Sequence, residues 1–175
     1  MATIEAWAPT QAADNIGALS ALLIDSVMHG ASIGFLPPLH HDEAQRYWDG
    51  VIADLRAGRT QLLVAQRDGL VLGSAQLALA EKPNARHRAE VQKVMVHSSA
   101  RRQGLATALM HAIDTLARAQ GRTLLVLDTR QGDPSEQLYQ QCGYTLAGII
   151  PAYAQNGAGG RDATAIYYRL LPAML

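Results

Sequence analysis

The chain has 175 residues, 49% of them hydrophobic, and its 15 Lys and Arg balance its 15 Asp and Glu. That length and apolar share suit a single folded domain over residues 1–175 and exclude a disordered chain. The neutral balance excludes a general pull toward nucleic acid or an anionic membrane, while leaving room for a small basic site.

Cys142 is the lone cysteine, so no internal disulfide forms, which suits a reducing compartment. The opening "MATIEAWAPT" lacks the basic-then-apolar order of a signal peptide. No apolar run approaches the roughly 20 residues that span a bilayer. The expectation is a cytoplasmic protein that binds neither membrane nor nucleic acid.

Residues 3–8 read as a short strand. Residues 11–29 read as one helix, with Ile16, Leu19, Leu22, Leu23 and Val27 on a common face. "GASIGFLPPL", 30–39, breaks it with glycines and paired prolines. A second helical pattern covers 41–57 and stops at Gly58. Residues 60–79 are two strands around "RDG", a hairpin signal. Residues 88–97 form another strand. A helix follows, with Leu105, Leu109, Ala112, Ile113 and Leu116 on one face, and ends at Gly121. "TLLVLD", 123–128, has the look of a central strand buried on both faces. Residues 133–142 make a short helix, opened by Pro134 and closed by Gly143. "YTLAGII" and "ATAIYYRL" are two last strands joined across "QNGAGGRD". Strand–helix–strand in the middle implies a parallel pair, and the hairpins imply antiparallel neighbours. The fold class is α/β (α+β), a mixed sheet with helices on its faces.

The joint "VMVHSSARRQGLATALM", 94–110, runs a strand into a helix through two arginines and a glycine. The free N–H groups of a helix start, with its dipole, make an anion site. Gly104 removes the Cβ that would keep a phosphate from the backbone, and Arg101 and Arg102 add charge. The Walker loop and the three-glycine dinucleotide turn are both absent. What remains is Arg101-x-x-Gly104-x-Ala106.

On these residues, together with "TLLVLD" and "SEQLYQQCGYT", the chain resembles the GNAT superfamily of acyl-CoA N-acyltransferases, whose coenzyme A signature is Gln/Arg-x-x-Gly-x-Gly/Ala. The resemblance covers 60–170 well and the N-terminal third by element order. Within the family, "ARHRAEVQKVMVHSSARRQGLA", "VLDT" and "DATAIYYRLL" are similar to the tabtoxin-resistance branch. The resemblance implies a mostly antiparallel sheet with its parallel pair at the cofactor site and helices on both faces. It implies acetyl-CoA as co-substrate, no metal, and direct transfer of acetyl to an amine. Arg101, Arg102, Gln103, Gly104, Leu105, Ala106 and Thr107 would hold the pyrophosphate. Val94, Met95 and Val96 would pair through backbone with the pantetheine arm, the first N–H polarising the thioester carbonyl. Tyr139, four residues before Gly143-Tyr144, matches the family's general acid. Seven residues before it the family often has an asparagine, and this chain has Gly132.

An alkylamine with a pKa near ~10.4 is about one part in a thousand neutral at pH 7, a deficit of about 4 kcal/mol, so a base matters. In the family a base-supplying glutamate lies eleven residues before the signature, the spacing of Glu90 from Arg101. Asp128, ending an apolar strand beside the place where the family's sheet parts, is the rival. Glu90, Gln92, Val94 and Val96 share a face if the strand is regular, whereas a bulge, which the family carries here, would alter the phase. The family's acceptor site is walled by the segments that here read "GASIGFLPPLHH" and "AQNGAGGRD". That makes Ser32, Phe35 and Gln92 substrate-binding candidates, with Arg161 or Asp162 closing from the second loop. His40-His41-Asp42 lacks a third ligand at useful spacing, so no metal is expected, and Cys142 reads as a packed thiol. The expected partner is a small-molecule amine, with the protein a monomer or homodimer. A protein lysine or N-terminal acetyltransferase and a non-catalytic coenzyme A sensor are the alternatives.

Overall fold

Leu62 and Val64 alternate with Leu63 and Ala65, and all four are buried, so neither face of their strand meets solvent. Each face needs its own cover, which makes a three-layer structure. The structure, a computed structural model, describes residues 2–172. In chain order it contains β1 (Thr3–Ala6), α1 (Pro9–Asp14), α2 (Ile16–Met28), α3 (His41–Arg56), β2 (Thr60–Arg67) and β3 (Leu70–Leu79). There follow β4 (Arg88–Val96), α4 (Leu105–Ala119), β5 (Leu124–Arg130), α5 (Pro134–Gln141), β6 (Thr145–Gln155) and β7 (Arg161–Leu170). The strands form one sheet in the order β1-β2-β3-β4-β5-β7-β6. Every neighbouring pair is antiparallel except β4 and β5. This is the mixed, mostly antiparallel sheet expected, with helices on both faces.

On one face Leu63, Ala65, Leu77, Ala89 and Val91 pack against Leu109, Met110 and Ile113 of α4 and Tyr139 of α5. On the other, Leu62 and Val64 pack against Leu19, Leu22 and Leu23 of α2 and Trp48 and Ile52 of α3. A fully buried leucine contributes roughly 1.5–3 kcal/mol, so these two layers hold the sheet. β6, at the sheet edge, leaves Leu146, Ile149, Ile150 and Tyr153 exposed. No helix of the described residues is long and apolar enough to cross a membrane.

The single helix expected over 11–29 is two. Asn15, at φ −115° and ψ 20°, leaves helical geometry, and its side-chain amide donates to the Gln11 carbonyl at 2.9 Å. A short polar side chain that bonds the backbone locally competes with the helical ladder.

Two departures from regularity in β4 position the site. First, β4 and β5 pair only at Arg88–Glu90 against Leu124–Val126, and beyond those pairs they part. Second, Ser74 faces Met95 while Gln76 faces Gln92, so β4 carries one extra residue. Lys93 takes up the bulge at φ 49°, in the left-handed region. The regular alternation of Glu90, Gln92, Val94 and Val96 therefore fails. Val94 and Val96 join Ala89 and Val91 on the α4 face, Met95 packs into the α2–α3 layer, and Glu90 and Gln92 lie on the face opposite Val94.

Candidate active site

The strand-to-helix joint is held from the opposite layer. Asp25 of α2 accepts from the Ser98 N–H and from its hydroxyl, and His97 lies 3.6 Å from the same carboxylate. Burial alone would raise the Asp25 pKa, but the Ser98 bonds and the imidazoles of His97 and His29 outweigh it and hold the carboxyl below its ordinary value. Beyond this turn the backbone reaches Arg102 at φ 62° and Gly104 at φ 78° before α4 begins. Gly104 caps α4, and its carbonyl accepts the first intrahelical bond, from the Ala108 N–H. Leu105, Ala106 and Thr107 thus present the unpartnered N–H groups of a first helical turn. A Cβ built on Gly104 would meet no protein atom within 4 Å, so the space in front of it is open.

That space is a groove of about 460 Å³ between the start of α4 and the side of α5. Of the residues the sequence assigned to the cofactor, Val96, Arg101, Arg102, Gly104, Leu105, Ala106 and Thr107 line it. Met95 does not, because the bulge turns its side chain into the α2–α3 core. Gln103 does not either, since its amide is engaged by Arg67 at 3.1 Å and by the Ser99 carbonyl at 3.4 Å. The opposite wall, Pro134, Leu138 and Gln141, was not legible from the motif. Its signal was only the helical spacing of α5.

Where β4 and β5 part there is a second cavity, of about 280 Å³. Ser135, at the start of α5, borders both cavities, and its hydroxyl lies 2.7 Å from that of Thr129. Glu90, Gln92 and Val94 line the second cavity from β4, Asp128 from β5 and Tyr139 from α5. Ser32 lines it from the α2–α3 loop and Asp162 from the start of β7. Asp128 accepts from the Thr164 hydroxyl at 3.0 Å. Tyr139 is only 7% exposed, its ring packed near those of Tyr144 and Tyr167. Burial pushes its phenol well above the ordinary tyrosine value, and Asp128, Asp133 and Cys142 push the same way. Tyr139 therefore keeps its proton, as a donor must.

Three of the cavity's charges, Arg130, Asp133 and Asp162, pair with one another. Arg130 donates to Asp133 at 2.7 Å, lies 3.7 Å from Asp162, and donates to the Gly30 carbonyl at 3.0 Å. One guanidinium thus fastens the α2–α3 loop to α5 and β7. Lys93, unassigned from sequence, also lines the cavity. Its signal was present: Val91, Val94 and Val96 are spaced three then two, so a polar pair interrupts an alternating strand.

Phe35 does not reach the cavity. It packs edge-on against Tyr47, centroids 5.3 Å apart, within the α2–α3 core. Its apolar ring is better buried against that tyrosine than left on a loop. Arg161 is exposed and outside the lining, as are His40 and His41 at the start of α3. Cys142 is buried in the α4-side core.

A mixed sheet whose parallel strands part over a glycine-capped helix start defines an acyl-CoA transferase class of fold. The acetyltransferase (GNAT) family model matches residues 23–144, more than half of the chain, and the protein belongs to that family. It is 35% identical, over 109 residues, to an uncharacterized N-acetyltransferase of the hisH-hisA intergenic region in Azospirillum brasilense. That match covers 61% of this chain and 63% of the relative's length. Among solved structures, an N-acetyltransferase from Staphylococcus aureus Mu50 has a similar fold, with a TM-score of 0.82 at 21% identity over 98% of this chain and 99% of the other. So do the ribosomal-protein-alanine N-acetyltransferase of Brucella melitensis, TM-score 0.79 at 22% identity over 97% and 99%, and yncA of Salmonella typhimurium, solved with its cofactor acetyl-CoA, TM-score 0.80 at 20% identity over 100% and 96%.

Proposed function

We propose that the protein transfers an acetyl group from acetyl-CoA directly to the amine of a small molecule. One observation carries the reading. A groove with the chemistry of a diphosphate site shares the wall residue Ser135 with a cavity lined by a protonated tyrosine and two carboxylates.

The residues present fit acetyl-CoA. Three unpartnered N–H groups, a glycine with open space before it, and Arg101 and Arg102 suit a pyrophosphate. When bound, acetyl-CoA supplies the activated acetyl thioester. Val94 has no register partner on either neighbouring strand, and its N–H would donate to the thioester oxygen. Asp128 or Glu90, directly or through water, takes the proton that makes the amine nucleophilic. Tyr139 holds the proton that the leaving thiolate needs.

The small cavity favours a small acceptor over a protein tail, and Arg130, which lines it, fastens the flanking α2–α3 loop in place. Likeness to the tabtoxin-resistance branch supports a toxin or antibiotic amine as the acceptor. One reduced, buried thiol suits the cytoplasm as its setting. The test is release of coenzyme A thiol from acetyl-CoA against a panel of small amines, with mass spectrometry of the products. Turnover of lysine- or N-terminal peptides alone would make the protein a protein acetyltransferase. Tight acetyl-CoA binding with no turnover of any amine would make it a sensor.

A further inference from the structure

Resting on that reading, we propose that Lys93 determines the acceptor class: its ammonium pairs with a carboxylate on the acceptor, so the acceptor is a small zwitterion of the amino-acid type.

The charges that line the cavity sort themselves. Asp133 and Asp162 are taken up by Arg130. What remains to meet a ligand is Glu90 and Asp128 on one hand and Lys93 on the other. Two carboxylates, Glu90 on β4 and Asp128 on β5, and one ammonium on β4, around one cavity, complement a molecule that carries both an ammonium and a carboxylate. An acceptor with only a positive charge would meet Lys93 as a like charge, which costs affinity.

Lys93 itself is unfinished in this structure. It is half-buried, and among the described residues it makes neither an ion pair nor a hydrogen bond. Its Nζ lies 5.6 Å from the Tyr47 ring centroid and against Gly34, where a Cβ would sit 3.7 Å away. Gln76 fixes that ring, its Nε2 donating to the Tyr47 hydroxyl at 2.8 Å. An aromatic face attracts a cation but accepts none of its three N–H bonds in the manner of an oxygen. A partly desolvated ammonium without an oxygen partner is unfavourable until one arrives. Burial accordingly draws the lysine below its ordinary value, against the pull of Asp128 and Glu90.

The backbone points the same way. At φ 49° the bulge position suits glycine or asparagine, and a long side chain there is held under strain. Strain of this kind persists where the side chain serves a purpose. Placed one residue before Val94, a carboxylate on Lys93 anchors the acceptor beside the N–H that would polarise the thioester.

The experiment uses matched amines that differ only at the carboxylate: L-amino acids, the corresponding amino-acid amides, and the decarboxylated amines. Each is assayed for thiol release with the whole chain, and acetyl-CoA binding is measured by calorimetry. The wild type is expected to favour at least one carboxylate-bearing member over its amide by tenfold or more in kcat/KM. Lys93→Met should bring that ratio to near one, mainly through the acceptor KM, and Lys93→Arg should restore most of it. Acetyl-CoA affinity should stay within twofold in both variants, which a misfolded variant would not manage. Equal or better use of the amides, an unchanged ratio in Lys93→Met, or turnover of no carboxylate-bearing member overturns the proposal. If bare amines are acetylated in those cases, the small-amine reading stands without it. If the wild type binds no acetyl-CoA, both fall.

Discussion

Asp25 accepts two hydrogen bonds from Ser98, from its N–H and its hydroxyl, each 2.7 Å long, across 73 residues of sequence. This contact ties α2, on one side of the sheet, to the turn that launches α4 on the other. The Asp25 side chain is 12% exposed, so water replaces little of what is lost when it is removed.

Asp25→Ala is expected to lower the unfolding free energy by about 3 kcal/mol, the range for hydrogen bonds to a charged group whose partners are left behind. The pH dependence follows from the lowered carboxyl. With the folded pKa below the unfolded one, its contribution is complete above the unfolded value, near ~3.9, and is lost as pH falls through the folded value. Thermal unfolding between pH 7 and pH 3 should show Tm of the wild type falling below about pH 4, with a shallower fall in Asp25→Asn. Parallel curves would mean that Asp25 titrates alike in both states.

Gly104→Val places a branched side chain at φ 78° and in the open space before the α4 N–H groups. The protein itself offers no clash there, so any loss falls on the backbone and the ligand. Coenzyme A affinity is expected to drop at least tenfold, about 1.4 kcal/mol, with the fold retained by circular dichroism. Calorimetry that returns the wild-type affinity would leave Gly104 a turn residue and nothing more.

Tyr139→Phe removes a hydroxyl that is held protonated by burial and by Asp128 and Asp133. The expected result is a fall in kcat of about 10²-fold, the usual share of a general acid, with acetyl-CoA KM nearly unchanged. Because the phenol is pushed upward, the wild-type kcat should not decline as pH rises to 10. A decline centred near 9, or a loss confined to KM, would take the proton-donor role away from Tyr139.

Asp128→Asn and Glu90→Gln test the base. Each should flatten the rise of kcat/KM with pH if its carboxylate takes the amine proton. Thr164→Ala, which strips the hydrogen bond from Asp128, should reproduce a milder form of the Asp128→Asn profile. If both carboxylate variants keep the wild-type profile, the amine arrives neutral and neither group serves as base.

The sheet, its parallel pair and the glycine-capped helix were legible because each rests on local pattern. Apolar alternation marks strands, a three-and-four spacing marks α4, and Gly104 marks the joint. What escaped depends on contacts far apart in sequence. Phe35 looked exposed between a glycine and prolines, since nothing nearby announced that Tyr47 would cover it. Gln103 lies inside the signature, and the contact of its side-chain oxygen with Arg67, on β2, is one the motif does not announce. Strict alternation hides Lys93, although the spacing of Val91, Val94 and Val96 carries the extra residue. Pairing of Arg130 with Asp133 and Asp162 brings the end of β5, the start of α5 and β7 together, and no short window of sequence contains all three.

The bulge at Lys93 also makes β4 intolerant of a slip in register. Pairing β4 with β3 in unbroken alternation, its length unchanged, would absorb Lys93 into the ladder and exchange the faces of everything downstream in the strand. Met95 would turn toward α4, Val94 and Val96 toward α2, and the Ser98 turn would swing away from Asp25. Groove and cavity would each survive in composition while losing their alignment. The chain therefore carries a frame, in the sense a codon does: substitutions along β4 alter the chemistry of the gap, whereas a one-residue slip dissolves its connection to the helix that follows.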